Sequence, residues 1–329
     1  MNILLPCEQF DSLSNGLDKN VIFLKTLLSE LGFAVDTQLC KNKKYDYLIQ
    51  TNKTIGLYEF NILKSNNPNM KNIHVIYGNK MIADIENVKT QKMPLNTREV
   101  DEVWVSPHYS ETIPYFKIYY NTESVFILPY IWTPDYINIE PYTYPRTGKK
   151  IITIIEPNLS LVKSCLPCIL IAESVYNKNP KAFDRVDVYC SEQFQSSKYF
   201  LGWSQNLNLV KDNKIKFKRR TRFEEVFGYP NQFIVSHQFM NDLNYVYMEA
   251  LYLNIPLIHN SKTLKEVGYY YNGYDLIDGA NKLELSLNCE NNKSIQDKLN
   301  CELKILFDKH SPHNPQVINA YKNMFRKNT

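Results

Sequence analysis

The segment of residues 233–260 constrains the fold more than any other part of the chain. An apolar strand over 233–235 runs into a loop rich in side-chain amides, and a helix carrying Glu249 follows. A second strand over 255–258 completes the unit and ends at His259 and Asn260. Strand, helix and strand in this order are typical of a parallel sheet, which binds ligands outside the carboxyl ends of its strands. We therefore expect a ligand site where these two strands end.

Strand-like and helix-like segments alternate through both halves of the chain, which indicates two Rossmann-like, doubly wound α/β domains. The strands are predicted at 2–5, 33–36, 47–50, 73–77, 102–105, 124–128, 151–155, 186–190 and 215–218, and weakly at 274–277. Residues 129–150 hold four prolines and little periodicity, and we interpret them as a linker, with a long surface loop as the alternative. The predicted domains are residues 1–140 and 150–308, and residues 309–329 form a last helix that packs back on the first domain.

Composition narrows the class of protein. The chain has 329 residues, 44% hydrophobic and 22% charged, with a net charge of +4, which favours a globular protein and not a dedicated nucleic-acid binder. No apolar run is long enough to span a membrane, and no secretory signal is visible, so we expect a cytoplasmic protein, in the host cytoplasm if the chain is viral. Cys165 and Cys168 lie in an apolar helical run and are interpreted as packed thiols. No metal motif is present, and the oligomeric state stays open.

Residues 151–163 suggest a phosphate site. A strand ends at Glu156, and Ser160 is predicted to cap the following helix, which places Lys163 in its first turn. Free N–H groups and the dipole at a helix N-terminus attract phosphate, and a lysine there fits the same ligand. An exposed surface lysine is the alternative. Arg219 and Arg220, at the end of a later strand, would reach the same edge, although a short basic run is more often simply solvated.

The amide-rich loop and its helix supply further candidates. His237, Gln238, Asn241 and Asn244 could bind polar groups of a ligand, and structural hydrogen bonds are equally consistent with them. Glu249 can accept two hydrogen bonds from a pair of hydroxyl groups. Tyr245 belongs to the same helix, which is otherwise apolar and therefore predicted to be buried.

The two-domain plan, the opening from Asn158 to Lys163 and the acidic helix resemble retaining glycosyltransferases of the GT-B class. In many of these enzymes an arginine and a lysine five residues apart hold the donor diphosphate, and Asn158 and Lys163 occupy those places. Two glutamates eight positions apart are also common, the second of which bonds the nucleotide ribose, and Asn241 and Glu249 occupy those places. The resemblance thus implies a ribose contact for Glu249, and contacts to sugar hydroxyls or the base for the polar residues at 237–244. The segments DEVWVSPHYSETIPY, PYIWTP, EPNLSLVK, VSHQ, LNYVYMEALYL and VGYYYNGYD are similar to a group of GT-B-like proteins of bacteria and large viruses.

The resemblance implies a metal-independent glycosyltransferase without a cofactor. It would move a sugar from a nucleotide-diphospho-sugar to a glycan or glycoprotein acceptor. The donor would lie against the second domain and the acceptor against the first. Catalytic roles are expected for His108 and Asn241, although a lone histidine such as His108 is more often structural. Acceptor-side candidates are the small-residue loop at Ser14, Asn15 and Gly16, together with Asn79.

Two other functions share this architecture. A nucleotide-sugar 2-epimerase would release an altered free sugar and need no acceptor. A glycan- or nucleotide-binding protein that has lost catalysis is the other, and Asn241 in place of a glutamate is compatible with it. A Rossmann dehydrogenase is disfavoured, because no glycine-rich fingerprint follows the first strand of either domain.

Overall fold

The computed structural model describes residues 1–7, 16–40, 43–51, 54–89, 99–289 and 293–326. The described residues form two compact units, one from Met1–Thr133 and Phe307–Thr329, the other from Pro134–Leu306. The segment interpreted as a linker, residues 129–150, is divided between the units: 129–133 belong to the first and 134–150 to the second. There the Tyr142 hydroxyl donates to the Phe227 carbonyl at 2.5 Å, and the buried Arg146 guanidinium donates to the Gln232 carbonyl at 3.0 Å. These bonds explain why a proline-rich segment without periodicity is ordered.

The first unit contains a parallel sheet of six described strands in the order β2-β1-β3-β4-β5-β6. Its strands are β1 (Asn2–Leu4), β2 (Ala34–Asp36), β3 (Tyr47–Gln50), β4 (Lys71–Ile76), β5 (Glu102–Val105) and β6 (Val125–Ile127). Its helices are α1 (Gly16–Glu30), α2 (Leu57–Asn66), α3 (Lys80–Lys89) and α4 (Ile113–Tyr120). The central strands β3, β4 and β5 are almost entirely buried, as expected for a sheet covered on both faces.

The last helix, α12 (Pro315–Arg326), is part of the first unit. Phe325 is buried, and its ring lies edge-on to Phe33, Tyr47 and Trp104, with centroids 4.9, 5.1 and 5.3 Å away. The Tyr321 hydroxyl also donates to the Pro129 carbonyl at 3.1 Å. The last described helix therefore covers part of the hydrophobic core formed by the strands of the first unit.

The second unit contains a parallel sheet of six described strands in the order β12-β11-β10-β7-β8-β9. Its strands are β7 (Ile151–Ile155), β8 (Arg185–Tyr189), β9 (Ile215–Phe217), β10 (Gln232–Val235), β11 (Leu257–His259) and β12 (Tyr269–Tyr270). Its helices are α5 (Cys165–Lys178), α6 (Lys198–Ser204), α7 (Asn208–Lys211), α8 (Phe223–Phe227), α9 (Tyr245–Tyr252), α10 (Leu276–Cys289) and α11 (Lys293–His310), the last of which runs on into the first unit.

Strand order identifies where a ligand would bind in the second unit. The chain moves outward from β7 through β8 to β9 and then returns to β10 on the other side of β7. The crevice between the carboxyl ends of β7 and β10 is thus the topological switch point, where open α/β sheets bind ligands. The two parallel six-stranded sheets with their helices confirm the predicted fold class.

Two local predictions in the second unit are wrong. The strand expected at 274–277 is absent, because Asp275 Oδ1 accepts from the Asp278 N–H at 2.9 Å and α10 begins at Leu276. The helix expected from residue 160 begins at Cys165.

Candidate functional site

Glu156 is the centre of a buried hydrogen-bond network at the switch point. It directly follows β7, and only 1% of its surface is exposed. From the end of β10, Ser236 Oγ donates to one carboxylate oxygen at 2.5 Å and Gln238 Nε2 donates to the other at 2.7 Å. Ser236 Oγ also lies 2.9 Å from the Tyr247 hydroxyl of α9. The network therefore joins two adjacent strands to the helix that carries Glu249.

Burial raises the pKa of Glu156 to about 7, and hydrogen bonds from Ser236 and Gln238, together with the charge of Lys163, partly oppose this effect. Burial also lowers the pKa of Lys163, while the charge of Glu156 acts in the opposite direction. The two charges are thus close enough to interact. In the sequence, Glu156 marks only the end of a strand, and it was not predicted to be a member of the site. Its hydrogen-bond partners lie 80 or more positions away in the sequence, so the residues next to it could not predict these contacts.

The loop between β7 and α5 is built around Asn158, which adopts a left-handed backbone with φ of 56°. Its side-chain Nδ2 donates to the carbonyls of Glu156 at 2.6 Å and Cys190 at 3.1 Å, and its Oδ1 accepts from the Cys165 N–H at 2.8 Å. The amide therefore ties the loop to both neighbouring strand ends and to the first turn of the helix. These bonds occupy the side chain that was predicted to face the donor.

Lys163 lies just before α5, and not in its first turn. Ser164 is the N-cap residue and accepts from the Leu166 N–H at 3.3 Å, so Ser160 does not have the predicted capping role. The backbone of Lys163 instead forms a bridge with Gln238, and the Phe239 N–H donates to the Val162 carbonyl at 3.0 Å. This pairing places Lys163 beside the end of β10 and next to the N-terminus of α5.

Gln238, Asn241 and Asn260 hold the loop after β10 in shape. Asn260 accepts from the Gln238 N–H and donates to the Gln238 carbonyl, both at 2.9 Å, as a neighbouring strand would. Asn241 Nδ2 donates to Gln238 Oε1 at 2.6 Å. Both Gln238 and Asn241 are buried. The structure thus brings these two candidates together with Glu156 in a single chain of hydrogen bonds.

His237 lies at the end of β10, with 4% of its surface exposed. Its Nδ1 is 2.9 Å from the Tyr271 hydroxyl, and its ring is 5.1 Å from the exposed ring of Tyr274. Burial lowers the pKa of His237 to about 4, so the imidazole is neutral at neutral pH. Within the part of the chain that the structure describes, its Nε2 has no hydrogen-bond partner.

Helix α9 places Glu249 inside the unit, with 2% of its surface exposed, as its apolar neighbours predicted. One carboxylate oxygen accepts from the Tyr136 hydroxyl at 2.6 Å. Asn244 is the N-cap of the helix and accepts from the Val246 N–H at 3.3 Å, which is a structural role. Tyr245 is buried in the first turn.

Arg219 and Arg220 follow β9 and are exposed. Arg219 lines a cavity of about 440 Å³ together with Lys218, Tyr189 and Tyr229. Burial raises the pKa of Cys190, and the charge of Arg220 opposes this, so Arg220 lies near the strand end that Asn158 holds. The basic residues therefore sit at the carboxyl edge of the same sheet.

In the first unit, the candidates occupy several separate positions. His108 lies in the 3₁₀ turn Pro107–Thr112, and its ring is 4.0 Å from that of Tyr109. Asn79 is buried and accepts from the Ile82 N–H at 3.1 Å, which caps α3. Gly16 is the first residue of α1. Ser14 and Asn15 lie outside the described residues.

Among the described residues, no group of three or more histidine, cysteine, aspartate or glutamate side chains is arranged to hold a metal ion. In the same part of the chain, none of the helices combines the length and the apolar character that crossing a membrane requires. Cys165 and Cys168 are buried free thiols, and burial raises the pKa of Cys165 to about 12, which confirms packed thiols.

Two parallel α/β units with a polar switch point define a class, the GT-B-like two-Rossmann proteins. Residues 13–325 match the family described as "Protein of unknown function (DUF2827)", and the chain belongs to that family. Among curated proteins, no sequence is significantly similar.

Several solved structures share the fold. A mutant of S. aureus TarM, in complex with fondaparinux, α-GlcNAc-glycerol and UDP, has a TM-score of 0.56 at 15% identity, over 85% of this chain and 55% of that one. The α,α-trehalose 6-phosphate synthase of Burkholderia multivorans gives 0.53 at 11%, over 95% and 77%. The N-terminal domain of Candida albicans trehalose-6-phosphate phosphatase gives 0.59 at 10%, over 97% and 78%. The chain thus spans little more than half the length of TarM.

Proposed function

We propose that this protein is a metal-independent glycosyltransferase that takes its sugar from a nucleotide-diphospho-sugar and retains the anomeric configuration. The observation that carries the proposal is the position of Lys163, next to the N-terminus of α5 and bridged to the end of β10 at the switch point. The fold shared with TarM, whose structure contains UDP, and with a trehalose 6-phosphate synthase supports the same chemistry.

In this proposal the Lys163 ammonium stabilises the negative charge that develops on the diphosphate as its bond to the sugar breaks. The helix dipole at the start of α5 adds to the attraction. The N–H groups of Cys165 and Leu166 are bonded to Asn158 and Ser164, so Lys163 supplies the direct contact with the anion. A partly buried ammonium acts more strongly here than in water, because fewer solvent molecules screen it. Arg219 and Arg220 lie on the same edge of the sheet and would add positive charge.

Glu249 is the proposed ribose anchor. A carboxylate has enough lone pairs to accept two hydroxyl hydrogen bonds besides the one from Tyr136. The Glu249 side chain is buried, so water could not easily replace it as the acceptor for the ribose hydroxyls. Removing the carboxylate should therefore weaken nucleotide binding.

Asn241 supports a second candidate, a nucleotide-sugar-binding protein without transferase activity. Its amide donates to Gln238, and an amide cannot provide the charge that a glutamate at this position would bring. His108 and Asn79 stay proposals for acceptor contacts in the first unit.

A ligand screen followed by product analysis tests the proposal. Ligands that bind the native state raise its melting temperature, so UDP-, GDP- and dTDP-sugars are compared by thermal shift, with CMP-sugars, which carry a single phosphate, as the contrast. We expect one nucleotide series to stabilise the protein, and slow hydrolysis or transfer of its sugar to follow. Binding without either reaction would favour the second candidate, and an altered free sugar would indicate an epimerase. No shift with any nucleotide sugar would contradict the proposal.

A further inference from the structure

The environment of His237 leaves one buried nitrogen without a protein partner. Among the described residues, Nε2 makes no hydrogen bond, although the side chain is 96% buried. Buried polar atoms in native proteins nearly always have a partner, so an unpaired one requires an explanation. The residue lies at the carboxyl end of β10, beside the switch point, where a ligand is expected.

The surrounding bonds favour one tautomer of the ring. The Tyr271 hydroxyl has a single hydrogen and lies 3.3 Å from the Ser236 carbonyl, which can only accept. If that hydrogen goes to Ser236, the His237 Nδ1 at 2.9 Å must be the donor to the tyrosine oxygen. This arrangement satisfies all three groups at once. A neutral ring with its hydrogen on Nδ1 has a lone pair on Nε2, and this nitrogen can only accept.

Tyr274 places an exposed aromatic ring beside His237. Its ring lies 5.1 Å from the His237 ring and 6.3 Å from that of Phe239, and 65% of its surface is exposed. Aromatic rings of this kind pack against the apolar faces of sugars and nucleosides, and an acceptor beside them matches a hydroxyl on the same molecule.

We propose that His237 Nε2 accepts a hydrogen bond from a hydroxyl group of the bound nucleotide sugar, and thereby contributes to the choice of donor. The inference rests on the proposed function. The hydroxyl belongs either to the ribose or to the transferred sugar, and the two sources are separated by experiment.

The first test needs no ligand. In protein labelled with ¹⁵N-histidine, long-range proton–nitrogen spectra distinguish a protonated ring nitrogen from a bare one. We expect His237 to carry its hydrogen on Nδ1, and a hydrogen on Nε2 would overturn the inference. This result does not depend on whether the protein transfers sugar, so it separates the inference from the proposed function.

The second test compares two variants by calorimetry with UDP, 2′-deoxy-UDP, 3′-deoxy-UDP and UDP-glucose. His237→Asn keeps a donor near Nδ1 for Tyr271 and removes the acceptor, whereas His237→Gln restores a carbonyl oxygen near Nε2. We expect His237→Asn to weaken UDP-glucose binding about tenfold and His237→Gln to bind nearly as the native protein does.

The pattern across the ligands identifies the hydroxyl. A loss confined to UDP-glucose assigns it to the sugar, and a loss with UDP that vanishes with one deoxy analogue assigns it to the ribose. Equal affinities of native protein and His237→Asn for all four ligands would overturn the inference and leave the glycosyltransferase proposal intact. If the thermal-shift screen selects another base, the corresponding four ligands of that series are used, and failure of the native protein to bind any nucleotide of any series would overturn both.

Discussion

Ser236 Oγ donates a hydrogen bond of 2.5 Å to Glu156, and this bond joins the ends of β10 and β7 inside the second unit. The carboxyl group is buried, so it is held there by its donors and by the nearby charge of Lys163. A buried carboxylate that is not fully compensated prefers its neutral form. The stability of this unit should therefore depend on pH through Glu156.

The first prediction concerns Glu156→Gln. The pKa of Glu156 is about 7 in the folded protein, above its ordinary value of 4.5. A raised carboxyl pKa stabilises the fold below about pH 4.5, and the contribution is lost as the pH rises through about 7. Urea unfolding at about pH 5 and about pH 8 gives the free energy of unfolding of the native protein and of Glu156→Gln. The stability of the native protein relative to the variant should be lower at the higher pH. A difference between the two proteins that stays constant with pH would contradict this assignment.

The second prediction concerns acid unfolding. Burial lowers the pKa of His259 to about 4, and its two nitrogens are occupied by the Val267 carbonyl and the Ser261 N–H. A lowered histidine pKa stabilises the fold above about pH 6.5 and this contribution is lost as the pH falls through about 4. His74, His237 and His310 have the same direction and value.

Unfolding free energies at about pH 7 and about pH 5 test this expectation. The native protein should lose stability on acidification, and His259→Gln should lose less. His313→Gln serves as the control, because the His313 side chain is 54% exposed. If His259→Gln and His313→Gln gave the same pH dependence, burial of His259 would not be the cause.

The third prediction concerns Gly268, which has φ of +68° and lies against β11. A Cβ at this position would meet the Leu257 carbonyl oxygen at 2.9 Å and His259 Nε2 at 3.3 Å. Gly268→Ala should therefore destabilise the protein by about 1–3 kcal/mol. Gly202→Ala in α6 is the matched control, since nothing lies within 4 Å of its Cβ and alanine favours helix. Similar urea midpoints for the two variants would refute the clash.

The fourth prediction concerns Phe325, which lies edge-on to three aromatic rings of the first unit. Phe325→Ala should destabilise that unit by about 3–5 kcal/mol, because it leaves a cavity where α12 packs. Tyr58→Ala removes a ring that is 79% exposed and should change little. Tryptophan fluorescence follows the transition, since Trp104 is one of the rings in contact. An equal effect of both substitutions would mean that α12 does not stabilise this core.

Local periodicity was sufficient to predict the burial of Glu249 and every described strand of both sheets except β12, which was expected at 274–277. The strands are short apolar runs, and the apolar residues around Glu249 on α9 left no exposed side for it. Each of these features depends on residues close together in the sequence, where spacing alone carries the information.

The network at the switch point depends on distant residues and could not be predicted in the same way. Glu156 meets Ser236 and Gln238 only because β10 returns beside β7. The start of α5 was misplaced, since Asn158 satisfies the Cys165 N–H from a left-handed turn that propensity does not reveal. At α10, Asp275 is an N-cap residue that the sequence could have indicated, but the aromatic residues before it favoured a strand.

The most direct test of the central claim is the affinity of Lys163→Ala and Glu249→Gln for UDP and for UDP-glucose. Lys211→Ala and Glu192→Gln, both at exposed positions, are the matched controls. We expect each site variant to bind about 10–100-fold more weakly than the native protein, because each loses a hydrogen bond that involves a charge. The controls should bind as the native protein does. Undiminished affinity in correctly folded Lys163→Ala and Glu249→Gln would contradict the donor site proposed in the second unit.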